Sequence, residues 1–551
     1  MAEPTGVDVL LDVLRSEGVT HLFGNPGSTE LPLMDALADT GDFDYVLALQ
    51  EATAVAAAEG YARVTGRPAF LNLHTSAGLG NAIGNLTNAQ ANRTPLVVTA
   101  GQQDYRHIVE DPLLSGNLVG IATAVSKWAT EVRTVDDIGP ITRRAFQDAA
   151  SPPTGPVFFS LPMDLLDQRA SSPAPPATVV ERRVVAGRLE ELAELLASTP
   201  IGKLGLVIGD EVSASGAVGE AVALAEALGA PVHGQSLHAT GVFPQAHPLY
   251  ADTFAPAAPA IAKALAGYDR VFLIGSHGFV VYPYQPGPPV PAHVELLQLT
   301  PDPTALGRYG APRLALLGDP KATLGALVPL VAARTDRDAV GRAIEERGRA
   351  REAAMAQAER LAESRYDASP TDPMAAAHAL LRASPARAPV VDEAITTGFY
   401  VRRFHHGSSP DRYFFCKGGG LGWGMPFALG VSLGLGGEQT LAAVGDGAAM
   451  YSCQALWTAA HRNLPVVFAV FNNRQYLILK NNLRGMDGRS VAKGNFVAMD
   501  LDSPAVDYVG LARSLGVDGT LVERASDIGE AARAAFESGR PHLLEIPVAA
   551  P

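Results

Sequence analysis

Cysteine is nearly absent. The 551 residues hold only Cys416 and Cys453. Two thiols supply neither a disulfide framework nor a repeated metal-ligand spacing, so a reducing cytoplasm is the expected compartment. Basic charge is scarce too. Lys and Arg number 43 against 57 Asp and Glu, for a formal net charge of −14. That balance excludes the basic footprint of a nucleic-acid binder and serves solubility. No apolar run approaches the length that crosses a bilayer. The stretch MAEPTGVDVLLDVLRSEGV sets acids inside its apolar pattern and lacks a basic start, so it is not expected to act as a signal peptide. What remains is a globular composition, 47% hydrophobic, with 55 Gly and 41 Pro spread along the chain. At roughly 100–200 residues per domain, the length predicts three domains or four.

The first third alternates helix and strand signals. VDVLLDVLRSEG has helical spacing and ends at Gly18, and THLFGNPGS is a strand running into a turn. DYVLALQ, PAFLNLH and TPLVVTAG read as strands, separated by the Ala-rich helix EATAVAAAEGYARVTG and the helix GNLTNAQANR. This alternation predicts a parallel sheet covered on both faces. The Pro/Ala-rich SSPAPPAT at 171–178 reads as a linker. A second α/β run follows, with LGLVIGDEV, APVHG, DRVFLIG and HVELLQL as strands. A charged helix over 336–369 reads as a solvated connector. A third α/β unit carries APVVDE, KGGGLGWGMP, TLAAVGDG, LPVVFAVFNN and PHLLEIPV. The expected fold is three doubly wound, Rossmann-like α/β domains with mainly parallel sheets, over 1–170, 185–335 and 370–551.

GNLTNAQANRTPLVVTAGQQ in the first unit echoes SCQALWTAAHRNLPVVFAVFNN in the third. Chance produces such a likeness in any two βαβ pieces. A real one means two similar domains flanking another.

The stretch 445–473 carries the sharpest chemistry. LAAV reads as a buried strand, GDG as a tight turn, AAMYSCQALWTAAHR as a helix, and VVFAVF as a second strand ending in Asn472 and Asn473. Glycines there permit close approach of a ligand to backbone. The free N–H groups of a helix start attract phosphate. In a parallel sheet both strand ends open on one edge, where ligands bind. Asp446 and Asn473 then face one crevice, and a carboxylate, a carboxamide and a backbone carbonyl are hard oxygen ligands suited to Mg²⁺ held jointly with phosphate. The bland alternative is two ordinary loop ends of a Rossmann-like sheet.

This pattern resembles the cofactor motif of the thiamine diphosphate-dependent enzymes. FGNPGSTELP, LALQEA, PAFLNLHTSAGLGNA, VTAGQQ, GGLGWGMP and ALWTAA resemble segments of the benzoylformate decarboxylases within that family. The resemblance covers nearly the whole chain. It implies an aminopyrimidine-binding first domain, a middle Rossmann-like domain and a diphosphate-binding third domain. It assigns Mg²⁺ to Asp446, Asn473 and the backbone oxygen of Gln475. Cofactor contacts fall on Asn25, Thr396, Gly420, Leu421, Gly447, Ala448 and Tyr476. It also implies a homo-oligomer, at least a dimer and by resemblance a tetramer, with the cofactor between two subunits.

Four residues are expected to carry the reaction. Glu51 would drive the aminopyrimidine to its imino form. An apolar context favours the protonated form of a carboxyl unless it is paired, and the bland role is a favourable charge in a first helical turn. Ser28 matches the serine that meets the substrate carboxylate, and its bland role is N-cap of the helix TELPLMDAL. His74 matches the histidine that handles protons near neutral pH, and its bland role is a hydrogen-bonded loop residue. Tyr282 falls where the family has a second histidine, with His277 five residues earlier. A phenol is a poorer acid–base group at neutral pH than an imidazole. Leu113, Leu114 and Phe415 keep an apolar pocket wall. Ile478 and Leu479 follow the metal loop, with Ile478 in place of a small residue and Asn482 in place of an aromatic.

The reaction implied is decarboxylation of a 2-oxo acid to an aldehyde and CO₂, with carboligation as a side activity. The enzymatic rival is an acetolactate synthase or 2-hydroxyacyl-CoA lyase on the same scaffold. A regulatory protein with a decayed site is the non-catalytic rival, and retention of Glu51, Asp446 and Asn473 together argues against it.

Overall fold

The computed structural model describes residues 3–405, 412–486 and 488–550. They fall into two compact units. One comprises Met1–Val180, Tyr366–Arg402 and Gly418–Pro551; the other comprises Glu181–Arg365 and Arg403–Lys417. Among the described residues, no helix is long and apolar enough to cross a membrane.

The first sheet contains β1 (His21–Gly24), β2 (Asp44–Leu47), β3 (Ala69–Leu73), β4 (Leu96–Gln102), β5 (Ala129–Glu131) and β6 (Val157–Pro162). Its order is β2-β1-β3-β4-β6-β5, every pairing parallel. The central β3, β4 and β6 are buried at every position, as expected of strands with helices on both faces.

The second sheet lies in the second unit and contains β7 (Leu204–Ile208), β8 (Val232–Gly234), β9 (Tyr250–Thr253), β10 (Arg270–Ile274), β11 (Glu295–Thr300) and β12 (Leu314–Leu317). Its order is β12-β11-β10-β7-β8-β9, again parallel throughout. The charged connector is a helix over Arg337–Glu363, where only Val340, Ala358 and Ala362 are buried. In the same unit β14 (Tyr413–Phe415) lies beside residues 239–241: the Gly241 N–H donates to Tyr413 O and the Phe415 N–H to Ala239 O, both at 2.8 Å.

In the third sheet β13 (Val390–Glu393), β15 (Thr440–Gly445), β16 (Val466–Asn472), β18 (His542–Pro547) and β17 (Asp518–Leu521) lie side by side and parallel. This repeats the order β1-β3-β4-β6-β5 of the first sheet. The two echoing segments sit at the same place in it: the helix Thr75–Ala91 leads into β4, and the helix Ala455–Arg462 leads into β16.

The first and third sheets share one unit because two helices, Glu51–Thr65 and Gly424–Gly434, meet backbone to backbone. A Cβ on Gly430 would lie 1.8 Å from the Ala57 carbonyl oxygen, and one on Gly60 would lie 2.1 Å from that of Phe427. Ala54, Ala57 and Ala58 are buried on the first helix, so its Ala-rich composition is the condition for close packing. Glu59 is buried within this contact. It accepts hydrogen bonds from Asn92 Nδ2 (2.7 Å), Thr94 Oγ1 (3.1 Å) and the Trp423 indole N–H (2.8 Å). Burial pushes its carboxyl above the usual range, and these donors pull the other way.

Gly430→Val forces the two helices apart and costs about 3 kcal/mol or more, seen as a lower thermal midpoint. Gly341→Ala, where an added Cβ meets nothing within 4 Å, leaves the midpoint unchanged or raises it.

Candidate active site

The turn after β1 organises one edge of the first sheet. Asn25 at its start reaches Glu51, and Glu30 at its end reaches His74. Ser28 is exposed at the tip. It does not cap a helix: a 3₁₀ turn spans Ser28–Glu30, and the helix Leu31–Ala38 begins after it. The reason is local. Glu30 Oε2 accepts the Gly27 N–H at 2.9 Å and so takes over the capping of this turn.

Glu30 was not singled out from sequence, yet it positions the imidazole. His74 Nδ1 lies 2.8 Å from Glu30 Oε2, and the Glu30 side chain is almost fully buried. Glu30 Oε1 accepts from Thr29 Oγ1 (2.7 Å) and the Gly101 N–H (3.1 Å). A carboxylate accepts only, so Nδ1 carries the proton and Nε2 is the nitrogen left for chemistry. Gly27 is required beneath the ring, since a Cβ there would lie 2.3 Å from His74 Cγ. The histidine immediately precedes the helix Thr75–Ala91, which starts earlier than the predicted GNLTNAQANR. The sequence signal for Glu30 was the spacing G-S-T-E, a capping-box pattern.

Glu51 opens the helix Glu51–Thr65 and is 8% exposed. Asn81 Nδ2 donates to its Oε2 at 3.0 Å, and Asn25 Nδ2 lies 3.4 Å from its Oε1. Gly78 leaves room for it, because a Cβ there would sit 3.1 Å from Glu51 Oε1.

The glycine cluster 418–424 is clamped from both sides. Asn88 Oδ1 accepts the Gly420 N–H and Asn88 Nδ2 donates to the Gly420 oxygen, both at 2.9 Å. Glu393, at the end of β13, accepts the N–H groups of Trp423 (3.1 Å) and Gly424 (2.8 Å). Leu421 stands half-buried between these anchors. Thr396 is also half-buried, in the turn that follows β13. Neither Asn88 nor Glu393 was legible as a site residue, because each acts on backbone far away in sequence.

At the ends of β15 and β16 the predicted convergence is present. Gly445 pairs with Phe471, which brings Asp446 level with the Asn473 turn. Asp446 is buried; its Oδ1 accepts the Gly447 N–H at 2.9 Å. Backbone N–H groups of Arg474 and Gln475 also act on its carboxyl, while burial raises its pKa. Its Oδ2 is buried without a hydrogen-bond partner among the described residues. Asn473 Oδ1 accepts the Gln475 N–H at 3.1 Å. An orphaned carboxylate oxygen beside a carboxamide oxygen fits a hard divalent cation. Ala448 is buried, and Gly447 leaves space for Tyr476, whose ring carbon would lie 2.6 Å from an added Cβ. Tyr508, unremarked in the sequence, donates to the Asp446 carbonyl at 2.8 Å.

The helix predicted over AAMYSCQALWTAAHR is instead two pieces, Asp446–Ala449 and Ala455–Arg462. The break lies where Tyr451 packs on Gly422, whose Cβ would come within 2.6 Å of the Tyr451 Cβ. A four-residue turn therefore replaces the expected long helix beside Asp446.

The remaining predicted residues differ in exposure and in the elements that carry them. Leu113 is 85% exposed and Leu479 is 43% exposed. Leu114 holds a φ of 71°, rare for a leucine. Ile478 and Asn482 share the helix Leu477–Gly485 with Leu479. Tyr282 and Phe415 belong to the other compact unit, with Tyr282 66% exposed.

Burial pushes the Glu393 carboxyl up to about 7. Because the folded value lies above the unfolded one, its contribution to stability is full at low pH and is lost as pH rises through about 7. The wild-type thermal midpoint should fall between pH 5 and pH 8 by more than that of Glu393→Gln, which lacks this titration.

Three family models match in succession: the N-terminal TPP binding domain of the thiamine pyrophosphate enzymes over residues 4–118, their central domain over 189–327 and their C-terminal TPP binding domain over 396–546. Benzoylformate decarboxylase of Pseudomonas aeruginosa PAO1 is 33% identical over 550 residues, covering 97% of each chain. Acetolactate synthase isozyme 3 large subunit of Escherichia coli K12 is 26% identical, covering 98% of this chain and 93% of that one. The thiamine diphosphate-dependent 4-hydroxybenzoylformate decarboxylase of Rhodococcus jostii RHA1 has a TM-score of 0.87 at 30% identity, with 99% of each chain covered. With the three parallel sheets and the clamped turn beside Asp446, these likenesses establish that the chain belongs to the thiamine pyrophosphate enzyme family, as a thiamine diphosphate-dependent enzyme similar to the benzoylformate decarboxylases, which are carboxy-lyases.

Proposed function

We propose that this enzyme catalyses the Mg²⁺-dependent, non-oxidative decarboxylation of a benzoylformate-like 2-oxo acid, releasing an aldehyde and CO₂, with carboligation as a side activity. One observation carries the reading. A single turn, residues 25–30, holds both Glu51, through Asn25, and His74, through Glu30, with Ser28 exposed between them.

When bound, thiamine diphosphate supplies the electron sink for the pair left behind as CO₂ departs. The chain supplies orientation and proton handling. Asp446, Asn473 and the Gln475 carbonyl hold Mg²⁺ and through it the diphosphate. Asn25, Thr396, Gly420, Leu421, Gly447, Ala448 and Tyr476 would line the cofactor. Glu51 places its carboxyl against the aminopyrimidine. The Ser28 hydroxyl meets the substrate carboxylate. His74, with Nδ1 tied to Glu30, gives and takes protons at Nε2. Tyr282 is assigned the place of the family's second histidine. Leu113, Leu114, Phe415, Ile478 and Leu479 shape the substrate pocket.

The active unit is a homo-oligomer, with each cofactor shared between two subunits and two dimers making a tetramer. Support comes from large apolar side chains exposed on the first unit, among them Val109 at 90%, Leu113 at 85% and Tyr451 at 58%. Cytoplasmic location is part of the same reading and rests on the near-absence of cysteine. Acetolactate synthase-like or 2-hydroxyacyl-CoA lyase-like ligation is the second reading, favoured by the whole-length similarity to the Escherichia coli synthase.

CO₂ release from a panel of aryl and alkyl 2-oxo acids tests the first reading. Aryl substrates should be turned over only with cofactor and Mg²⁺, and Glu51→Gln should lose at least 100-fold in kcat while still binding cofactor by calorimetry. Equal rates in the presence of a chelator would refute the metal clamp. Activity confined to paired 2-oxo acids, or to an acyl-CoA, would favour the second reading. Mixing inactive Glu51→Gln and Asp446→Ala subunits should restore activity through hybrid dimers; mixtures as inactive as their parents would place both groups in one chain's site.

A further inference from the structure

The second sheet has the strand order of a doubly wound dinucleotide-binding fold, reversing direction between β7 and β10. Ligands of such sheets bind at that switch, beyond the carboxyl ends of the strands. Here the turn after β7 reads GDEVSAS, with one glycine where a phosphate-binding turn needs three. The space is also closed. The Glu211 N–H donates to Gly275 O at 3.1 Å, and a Cβ on Gly209 would lie 2.5 Å from that same oxygen. Acidic residues line it instead of N–H groups: Asp210, Glu211 and Asp302 are all buried. An anionic cofactor is repelled by such a site, and a cation is attracted.

Asp210 is committed elsewhere. It pairs with Lys417 at 2.8 Å and accepts the Ala239 N–H at 2.6 Å. Glu211 and Asp302 are directed differently. Thr300 Oγ1 donates to Glu211 Oε2 at 2.9 Å, while Glu211 Oε1 faces His277 Nε2 at 3.5 Å. Thr304 fixes Asp302 through its N–H (2.9 Å) and its hydroxyl (2.8 Å), and Asp302 Oδ2 lies 4.0 Å from His277 Nδ1. Thr300 Oγ1 also accepts the Asp302 N–H at 3.0 Å, so one hydroxyl links the turns bearing both carboxylates. One ligand atom from each of Glu211, His277 and Asp302 lies within 4.8 Å of the others.

We propose that Glu211, His277 and Asp302 form a site for a first-row divalent transition ion such as Zn²⁺ at the switch point of the second sheet. One imidazole and two carboxylates are a mixed nitrogen–oxygen set, which suits Zn²⁺ or Mn²⁺ better than Mg²⁺ or Ca²⁺. The threonines supply the outer hydrogen bonds that orient ligating carboxylates. The ion ties the turn after β7 to those after β10 and β11, the place a nucleotide would otherwise bridge.

The test uses the full-length protein, stripped with chelator and reloaded with Zn²⁺ without thiamine diphosphate. X-ray absorption at the zinc edge separates this site, which contains an imidazole, from the all-oxygen clamp at Asp446. The expected result is one tightly held zinc per chain with imidazole scattering. It should persist in Asp446→Asn, disappear in His277→Ala and bind at least tenfold more weakly in Asp302→Asn. Zinc should raise the thermal midpoint of the wild type but not that of His277→Ala. A wild-type protein that takes up no ion, or only one with oxygen ligands, overturns the proposal and leaves His277 as an imidazole between two carboxylates. Imidazole scattering that survives His277→Ala overturns it equally by assigning the ion to other histidines. The wild-type measurements decide the matter even if a variant fails to fold.

Discussion

Two helices that touch through bare backbone set the geometry of the first unit. Gly60 and Gly430 let Glu51–Thr65 and Gly424–Gly434 approach until carbonyl oxygens lie where side chains would be. Glu51 stands at the start of one helix, and the turn bearing Leu421 leads into the other. Their closeness therefore depends on the absence of two side chains well away from either. The buried Glu59, bonded to Asn92, Thr94 and Trp423, adds directional bonds to a contact otherwise made of small residues. The joint holds the first and third sheets together within one unit.

Buried carboxylates recur around these turns in different settings. Glu30 orients an imidazole, Glu51 lies among side-chain amides, Glu393 anchors a backbone turn, and Asp446 stands at the end of β15. Their surroundings separate them. Glu30 is satisfied by two backbone N–H groups, a hydroxyl and the imidazole. Glu51 meets the side-chain amides of Asn25 and Asn81. Asp446 has an oxygen without a hydrogen-bond partner among the described residues. The setting of one residue type is thus divided by donor count.

Much of this was legible in the sequence, for definable reasons. Strands β1, β3, β4, β15 and β16 are apolar runs next to glycine or proline, and a parallel sheet follows from their alternation with helices. Asp446 and Asn473 could be paired because both sit at strand ends, and parallel register carries strand ends to one edge. The echo between two segments was visible as pattern, and the shared strand order gives it physical content. What escaped the reading acts across long sequence distances. Asn88 grips the Gly420 backbone, and Glu393 grips Trp423 and Gly424; neither bears a periodic or local signature. The helix after Asp446 was drawn too long because propensity does not register Tyr451 packing on Gly422. The bland alternative for Ser28, an N-cap, does not hold, because Glu30 two residues on does the capping.

The matching strand order of the first and third sheets has a consequence for how the enzyme can change. Two copies of one topology present equivalent edges, yet the turn after β1 reaches Glu51 and His74 while the turns after β15 and β16 carry Asp446 and Asn473. The turns on each edge can therefore change in sequence independently while the strand order that positions them stays the same.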